Sequence, residues 1–238
     1  MKIIFYLTMF TLVSLISYPQ EMIIQKTDGS NSRIDLSLID KINFIIPCPE
    51  TPTVDYGGKT YNTVLIGTQC WLKENLDIGT MASPSNDGVI QKYCYNNVPD
   101  SCTKYGGLYS WGEAMQYSTI TGAQGICPSG WHMPTASEFQ TLKDYVNSDG
   151  NSLKDVDQGV DAGQGTNLFG FAAILAGGKG YSGGPYQGLG DFTTYWVGQQ
   201  GYSSGYAYSF EVYKDNPTID IFNGSMTSWG FSVRCIKN

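Results

Sequence analysis

Charge is scarce in this chain: Lys, Arg, Asp and Glu together make up 15% of its 238 residues. What charge there is leans acidic, 21 Asp and Glu against 14 Lys and Arg, for a formal net of −7. A polyanion such as nucleic acid, or an anionic membrane surface, finds no basic stretch to bind. Histidine is scarcer still, since His132 is the only one. Any Ser-His-Asp, Cys-His or two-histidine metal arrangement would have to pass through it. No Cys-x-x-Cys occurs, so the cysteines do not have the spacing of a zinc site. No repeat of about 20–50 residues is found, and neither EF-hand nor nonapeptide calcium patterns occur.

Glycine, by contrast, is abundant at 29 residues, and aromatics reach 13%. With 41% hydrophobic residues the chain can bury a sizeable core in one or two domains, loop-rich and β-rich rather than a helical bundle. Met1-Lys2 followed by the apolar run Ile3 to Ile16 suits a secretory signal peptide and is short for a membrane-spanning helix. Residues 1–20 are therefore read as signal, with cleavage in Ser17–Gln20 and no nearby cysteine for a lipid anchor. An uncleaved membrane anchor is the rival reading. Losing Lys2 with the signal leaves 13 − 21 = −8.

Six cysteines remain, an even number that in an exported chain reads as three disulfides. Fifteen pairings exist. The preferred set is Cys48–Cys70, Cys94–Cys102 and Cys127–Cys235. Cys94 and Cys102 flank a short turn that a local bridge would close, and Cys127–Cys235 would tie a helix start to the last strand.

That helix start lies in Gly125–Gln140. Thr135 and Glu138 stand in capping-box relation, and Phe139, Leu142 and Val146 recur at helical spacing, which predicts a helix from about Ala136 to Asn147. Ser110 and Glu113 form a second box, opening a short helix to about Tyr117. Before them, Met22–Gln25, Asp28-Gly29 and Arg33–Leu36 predict a hairpin, followed by a turn at Leu38–Asp40 and a third strand at Ile42–Ile46. This small β segment, 21–46, ends at the proline-dense Pro47–Pro52, where the domain boundary is placed. The main domain, 47–238, opens with a hairpin over Gly57-Gly58 and strands at Thr63–Ile66 and Gln69–Leu72. Lys73–Ile90 reads as surface loop. Strands are expected at Thr193–Val197, Ala207–Tyr213, Ile219–Phe222 and Phe231–Ile236.

Four segments carry a resemblance: Tyr61–Leu76, Tyr105-Gly-Gly-Leu-Tyr-Ser-Trp111, Cys127-Pro-Ser-Gly-Trp-His-Met-Pro134 and Gly230-Phe-Ser-Val-Arg-Cys235. In this order they resemble the Fibrobacter succinogenes major paralogous (FISUMP) domain, over the stretch from Cys48 to the end. The segment from Asp28 to Phe44 resembles the short β leader of exported Bacteroidetes-type surface proteins. The resemblance implies an α+β, C-type-lectin-like domain with two short helices, a twisted antiparallel sheet and long loops, preceded by a small β segment. It implies a protein secreted or on the outer surface of a bacterium. No catalytic residues define the family, so none carry across.

The chemistry of the residues points the same way. His132, between Trp131 and Met133, reads as a hydrogen-bonding residue, and paired cysteines are not nucleophiles. The calcium-binding triplets of C-type lectins do not occur. Asp215-Asn-Pro217, Val98-Pro-Asp100 and Asp155-Val-Asp157 read as turns, so no cofactor is expected and calcium has no sequence support. The binding candidate is the aromatic, glycine-rich tract Gly177–Tyr208, with Tyr181, Tyr186, Gln187, Asp191, Gln199 and Tyr202 as proposed ligand contacts. Its rings can stack on sugar faces while amides and carboxylates take hydroxyl hydrogen bonds. The rival is that several of those rings face the core. Trp71, Trp111, Trp131 and Trp229 are expected inside. The expectation is a non-catalytic binding module, for polysaccharide or for a cell-surface protein as a structural or adhesive piece.

Overall fold

The computed structural model describes residues 21–25, 28–35, 44–180 and 185–238. The expected signal peptide, the turn at Leu38–Asp40 and Tyr181 lie outside these residues. The chain divides into two units, Met1–Asn43 and Phe44–Asn238.

In the first unit β1 (Glu21–Gln25) and β2 (Asn31–Asp35) pair antiparallel. Asp28 closes the turn by accepting from the Ser30 amide at 2.9 Å, and Gly29 supplies the positive φ of 83°. The expected third strand is absent where described: Phe44–Ile46 are not strand, and they belong to the second unit. There the Ile46 carbonyl accepts from Leu65 N at 2.8 Å.

The second unit is a mixed α+β fold with a few short helices and a curled, mostly antiparallel sheet arrangement. β3 (Thr53–Tyr56), β4 (Lys59–Ile66) and β5 (Gln69–Leu72) form successive hairpins, the first over Gly57-Gly58 as expected. The following loop carries the short parallel pair β6 (Thr80–Met81) and β7 (Gln91–Lys92). It is not wholly surface, because Leu76 and Ile78 are buried. Next come α1 (Pro99–Tyr105), α2 (Trp111–Met115), β8 (Trp131–His132) and α3 (Ala136–Tyr145). Among the described residues three α-helices thus stand where two were expected. The additional one, α1, begins between Cys94 and Cys102, where a plain turn was expected, and carries Cys102 within it; Pro99 at its first position suits a helix start.

The glycine-rich stretch after α3 ends in two strands that the sequence did not announce, β9 (Ala176–Lys179) and β10 (Tyr186–Leu189). β11 (Phe192–Gln200), β12 (Tyr206–Tyr213) and β13 (Ile219–Met226) then complete one sheet, in the order β10-β9-β11-β12-β13. The other sheet runs β3-β4-β5-β14-β8, with β14 confined to Ile236–Lys237. The expected strand Phe231–Ile236 is instead a stitch. Gly230 bridges Lys179, Phe231 bridges Tyr109, Ser232 bridges Tyr195, and Ile236 pairs with Trp71 and His132. One short segment joins both sheets, so it satisfies its backbone groups with several partners rather than one.

Burial on β11 is continuous from Thr193 to Gly198. A strand covered on both faces reads that way, without alternation. Tyr195 and Val197 face a core with Trp71, Phe139, Leu142 and Phe210, where the Phe139 and Phe210 rings stack at 4.4 Å. Trp196 faces the opposite core with Tyr61, Tyr109, Met115, Phe231 and Val233. Trp71, Trp111 and Trp131 are buried as expected, whereas Trp229 is half-buried. The disulfides are Cys48–Cys70, Cys94–Cys102 and Cys127–Cys235, the preferred set.

Candidate functional site

The five tract residues that are described do not converge. Tyr186 and Gln187 lie on the edge strand β10, where the Tyr186 ring packs on Tyr95 at 5.2 Å and its hydroxyl donates to Asn97 Oδ1 at 2.8 Å. Asp191 sits in the β10–β11 turn, ion-paired with Lys214. Gln199 is half-buried near the end of β11. Tyr202, 66% exposed, stacks on Tyr206 at 4.8 Å in the β11–β12 turn. Tyr195 and Trp196 face the cores, which accounts for part of the tract's aromatic content.

A cleft of about 470 Å³ opens beside that turn instead. Gln200 and Gly205 form one side, Thr227 and Ser228 the next, and Tyr93, Ser110, Trp111, Gly112 and Tyr117 the other, with Pro84 at the rim. Local chemistry explains the arrangement. Ser110 Oγ accepts from Glu113 N and starts α2, which places Trp111 at the cleft. Trp111 is fixed by its Nε1–H donating to Val197 O at 2.9 Å and by its own amide donating to Thr227 O at 3.0 Å. After α2 the chain turns sharply, with Gln116 and Tyr117 at φ of 49° and 57°. Gly112 leaves room for the Tyr117 ring, because a Cβ there would come within 3.0 Å of it.

Glu113 is fully buried beneath this cleft. The expected capping box is only half made, since its carboxylate turns elsewhere. It accepts from Ser85 N at 3.1 Å, Gln91 N at 3.0 Å and the Tyr117 hydroxyl at 2.6 Å. Burial, and then the hydrogen bond to Glu113, hold the Tyr117 hydroxyl protonated far above the usual phenol range. One carboxylate therefore pins the 85–91 loop and a cleft ring to the same short helix. The residues lining the cleft carry rings, hydroxyls and one side-chain amide, not an acid–base pair.

A second, smaller groove of about 390 Å³ lies on β12 and β13, between Phe222 and Trp229. Glu211 and Asp220 face each other across the strands, and Tyr213 Oη is 2.8 Å from one carboxylate and 3.0 Å from the other. Burial and then Glu211 push the Tyr213 hydroxyl well above its ordinary pKa.

His132 takes no part in either concavity. Its Nδ1 lies 2.7 Å from Asn238 Oδ1 and its Nε2 2.9 Å from Glu138 Oε1. The Asp-containing turns are used locally: Asp155 Oδ1 accepts from Val156 N and Asn167 Nδ2, Asp100 lies in the first turn of α1, and Asp215 accepts from Asn216. Among the described residues no group of three His, Cys, Asp or Glu side chains could hold a metal ion. Nor is any described helix long and apolar enough to cross a membrane. The three disulfides are consistent with an extracellular protein.

Sequence reasoning missed Tyr93, Tyr117 and Ser228, while Gln200 falls inside the tract it named. The signal for Trp111 was there, in Ser110-Trp-Gly-Glu113, but it read as a helix cap and core ring.

No curated protein and no solved structure matches the chain. The family model of the Fibrobacter succinogenes major domain matches residues 64–237, well over half of the sequence and three of the four quoted motifs in full. The chain belongs to the Fibrobacter succinogenes major domain family.

Proposed function

We propose that the Phe44–Asn238 unit is a non-catalytic binding module of an exported protein, and that its cleft takes a carbohydrate. One observation supports this above others. The cleft combines the rings of Tyr93, Trp111 and Tyr117 with the polar groups of Ser110, Gln200, Thr227 and Ser228, while the carboxylate below is satisfied from inside. Ring faces pack against the C–H faces of a pyranose, and hydroxyls and an amide exchange hydrogen bonds with its hydroxyl groups. A C-type-lectin-like architecture fits the short helices, the long loops and the Cys127–Cys235 bridge to the chain end. Secretion or display on the outer surface fits the disulfides and the apolar start of the sequence.

A glycan array with the purified unit tests the carbohydrate reading. Binding that falls about tenfold in Tyr117→Ala and Gln200→Ala supports it, a loss of roughly 1.4 kcal/mol each. Absence of binding to every glycan, with and without calcium, overturns it. A second reading, docking to another protein as an adhesive piece, is favoured by exposed rings beside the cleft. Phe222 is 52% exposed, and it and Tyr202 both close on Gly224. Tyr202→Ser with Phe222→Ser separates the two, because it removes protein capture while leaving glycan binding unchanged.

A further inference from the structure

The polar atoms of the cleft wall divide into those already used inside the protein and those left over. Trp111 Nε1–H donates to Val197 O, the Tyr117 hydroxyl to Glu113 and the Thr227 hydroxyl to Gly205 O at 3.2 Å. Ser110 Oγ accepts from the Glu113 amide. Each of these side chains is tied down, so it offers a ligand a ring face or part of a hydroxyl. Gln200 and Ser228 differ. Both line the cleft, both are exposed, and neither side chain bonds to a described residue. A ligand in the cleft therefore meets an unspent amide on one side and an unspent hydroxyl on the next.

Charge narrows the ligand further. None of the ten residues lining the cleft is charged. Lys179 lies against the Tyr93 ring, 4.3 Å from its centre, but is not part of the wall. Beneath the wall the Glu113 carboxylate is buried and already accepts three hydrogen bonds. A ligand carboxylate or sulfate would leave water for a surface that offers it no cation and sets a like charge below it. Withdrawing an ion from water is offset only where an opposite charge and further hydrogen bonds await it. A hydroxyl carries a far smaller penalty.

The amide also has a shape. A primary amide sets an acceptor, Oε1, beside a donor, Nε2. Two neighbouring hydroxyls of a pyranose, gauche to each other, present the complement, one donating while the other accepts. A lone hydroxyl uses half of the amide.

We propose that the cleft takes an uncharged pyranose, and that Gln200 is its specificity-determining residue, with the amide bonding a vicinal diol of the sugar. The inference rests on the carbohydrate reading of the cleft and adds the class of sugar and the group that selects it.

Titration calorimetry with cellotriose, β-1,4-mannotriose and α-1,4-galactotriose, each beside the trisaccharide of its hexuronic acid, tests the charge. At least one neutral sugar is expected to bind, about tenfold or more tighter than its acid. Its 2-deoxy analogue tests the diol, since O2 and O3 form the vicinal pair of an internal 1,4-linked residue and deletion adds no bulk. The deletion should weaken binding about fivefold in the native protein and hardly at all in Gln200→Ala, where the amide is already gone. Equal thermal unfolding of native protein and variant confirms that the fold is unchanged. An acid that binds as tightly as its neutral partner overturns the uncharged sugar. The same loss on deletion in native protein and Gln200→Ala overturns the role of Gln200 and leaves the uncharged sugar standing. No binding by any of the six trisaccharides overturns this inference, while the carbohydrate reading stands or falls with the glycan array.

Discussion

Arg234 places a guanidinium in the interior with no carboxylate in contact. Its Nη2 and Nε donate to Asn75 Oδ1 at 2.7 and 3.3 Å, its Nη1 to Phe171 O at 2.5 Å and Leu72 O at 3.2 Å, and the Phe171 ring lies 4.5 Å away. Neutral acceptors and a ring face carry the charge, so each acceptor loses its donor if the fork is removed. Arg234→Met is expected to lower stability by about 3 kcal/mol or more, read from urea unfolding. Arg234→Lys should recover little of that, because one ammonium does not span the same acceptors. The sequence places Arg234 in a short motif between two apolar residues, but an arginine there reads equally as exposed. Its partners come from positions 72, 75, 171 and 195, which no local pattern connects. His132 was more legible, since a lone histidine six residues before a capping glutamate has few roles. The bond to Glu138 raises the His132 pKa above 6.5, against a smaller opposing effect of burial. For Glu138 burial pushes upward, but the bonds from His132 and Thr135 outweigh it and hold the carboxyl below 4.5. A raised histidine stabilises fully below 6.5 and loses that contribution as pH rises through its folded value. A lowered carboxyl stabilises above 4.5 and loses it as pH falls through its own. The pair therefore contributes most between pH 4.5 and 6.5. Urea midpoints of native protein and His132→Gln should differ most in that window and converge toward pH 9.

Among the elements, α3 was readable because three independent signals agree. Thr135 accepts from Glu138 N, Glu138 accepts from Thr135 N at 2.8 Å, and Phe139 and Leu142 face the core. Thr135→Ala should cost about 1 kcal/mol by calorimetry or denaturant titration, with α3 the first element to lose amide-exchange protection. α1 was not readable, although Pro99, Asp100 and Lys104 stand where a helix wants them. Its seven residues bury only Cys102, so no apolar period marks it. β9 was hidden for another reason: Ala176-Gly-Gly-Lys179 has almost no side chains to alternate. Gly178 is needed there because Phe231 lies 3.0 Å from where its Cβ would be. The segment 230–236 misled in the opposite direction, since its composition is that of a strand while its partners lie in two sheets. Cys235 at its end is held by Cys127 over a separation of 108 residues. Replacing both by serine should destabilise by about 4–5 kcal/mol in the chain-entropy account, measured against native protein in guanidinium.

At the scale of the molecule, the two cores on opposite faces of β11 make that strand the common wall, and the cleft lies at the end where β11 turns into β12. This is why the site was only partly legible. The tract 177–208 was rich in rings because β11 needs them for two cores, and the rings of the cleft come from residues 93, 111 and 117. Only Gln200 and Gly205 belong to both. The course of the chain has one more result. β14 lies between β5 and β8, Lys237 Nζ donates to Thr51 Oγ1 at 2.6 Å, and the Asn238 amide donates to Gly130 O at 3.0 Å. Entry to the unit and exit from it are thus side by side, like the two wires of a plug. A unit wired this way can be spliced into a surface loop of a host protein without prying the host apart, since the loop need only part by about the reach of one lysine side chain. Residues 48–238 grafted into such a loop should give a fusion with two separate, host-like and unit-like unfolding transitions. Loss of the host transition would mean that the ends are held apart.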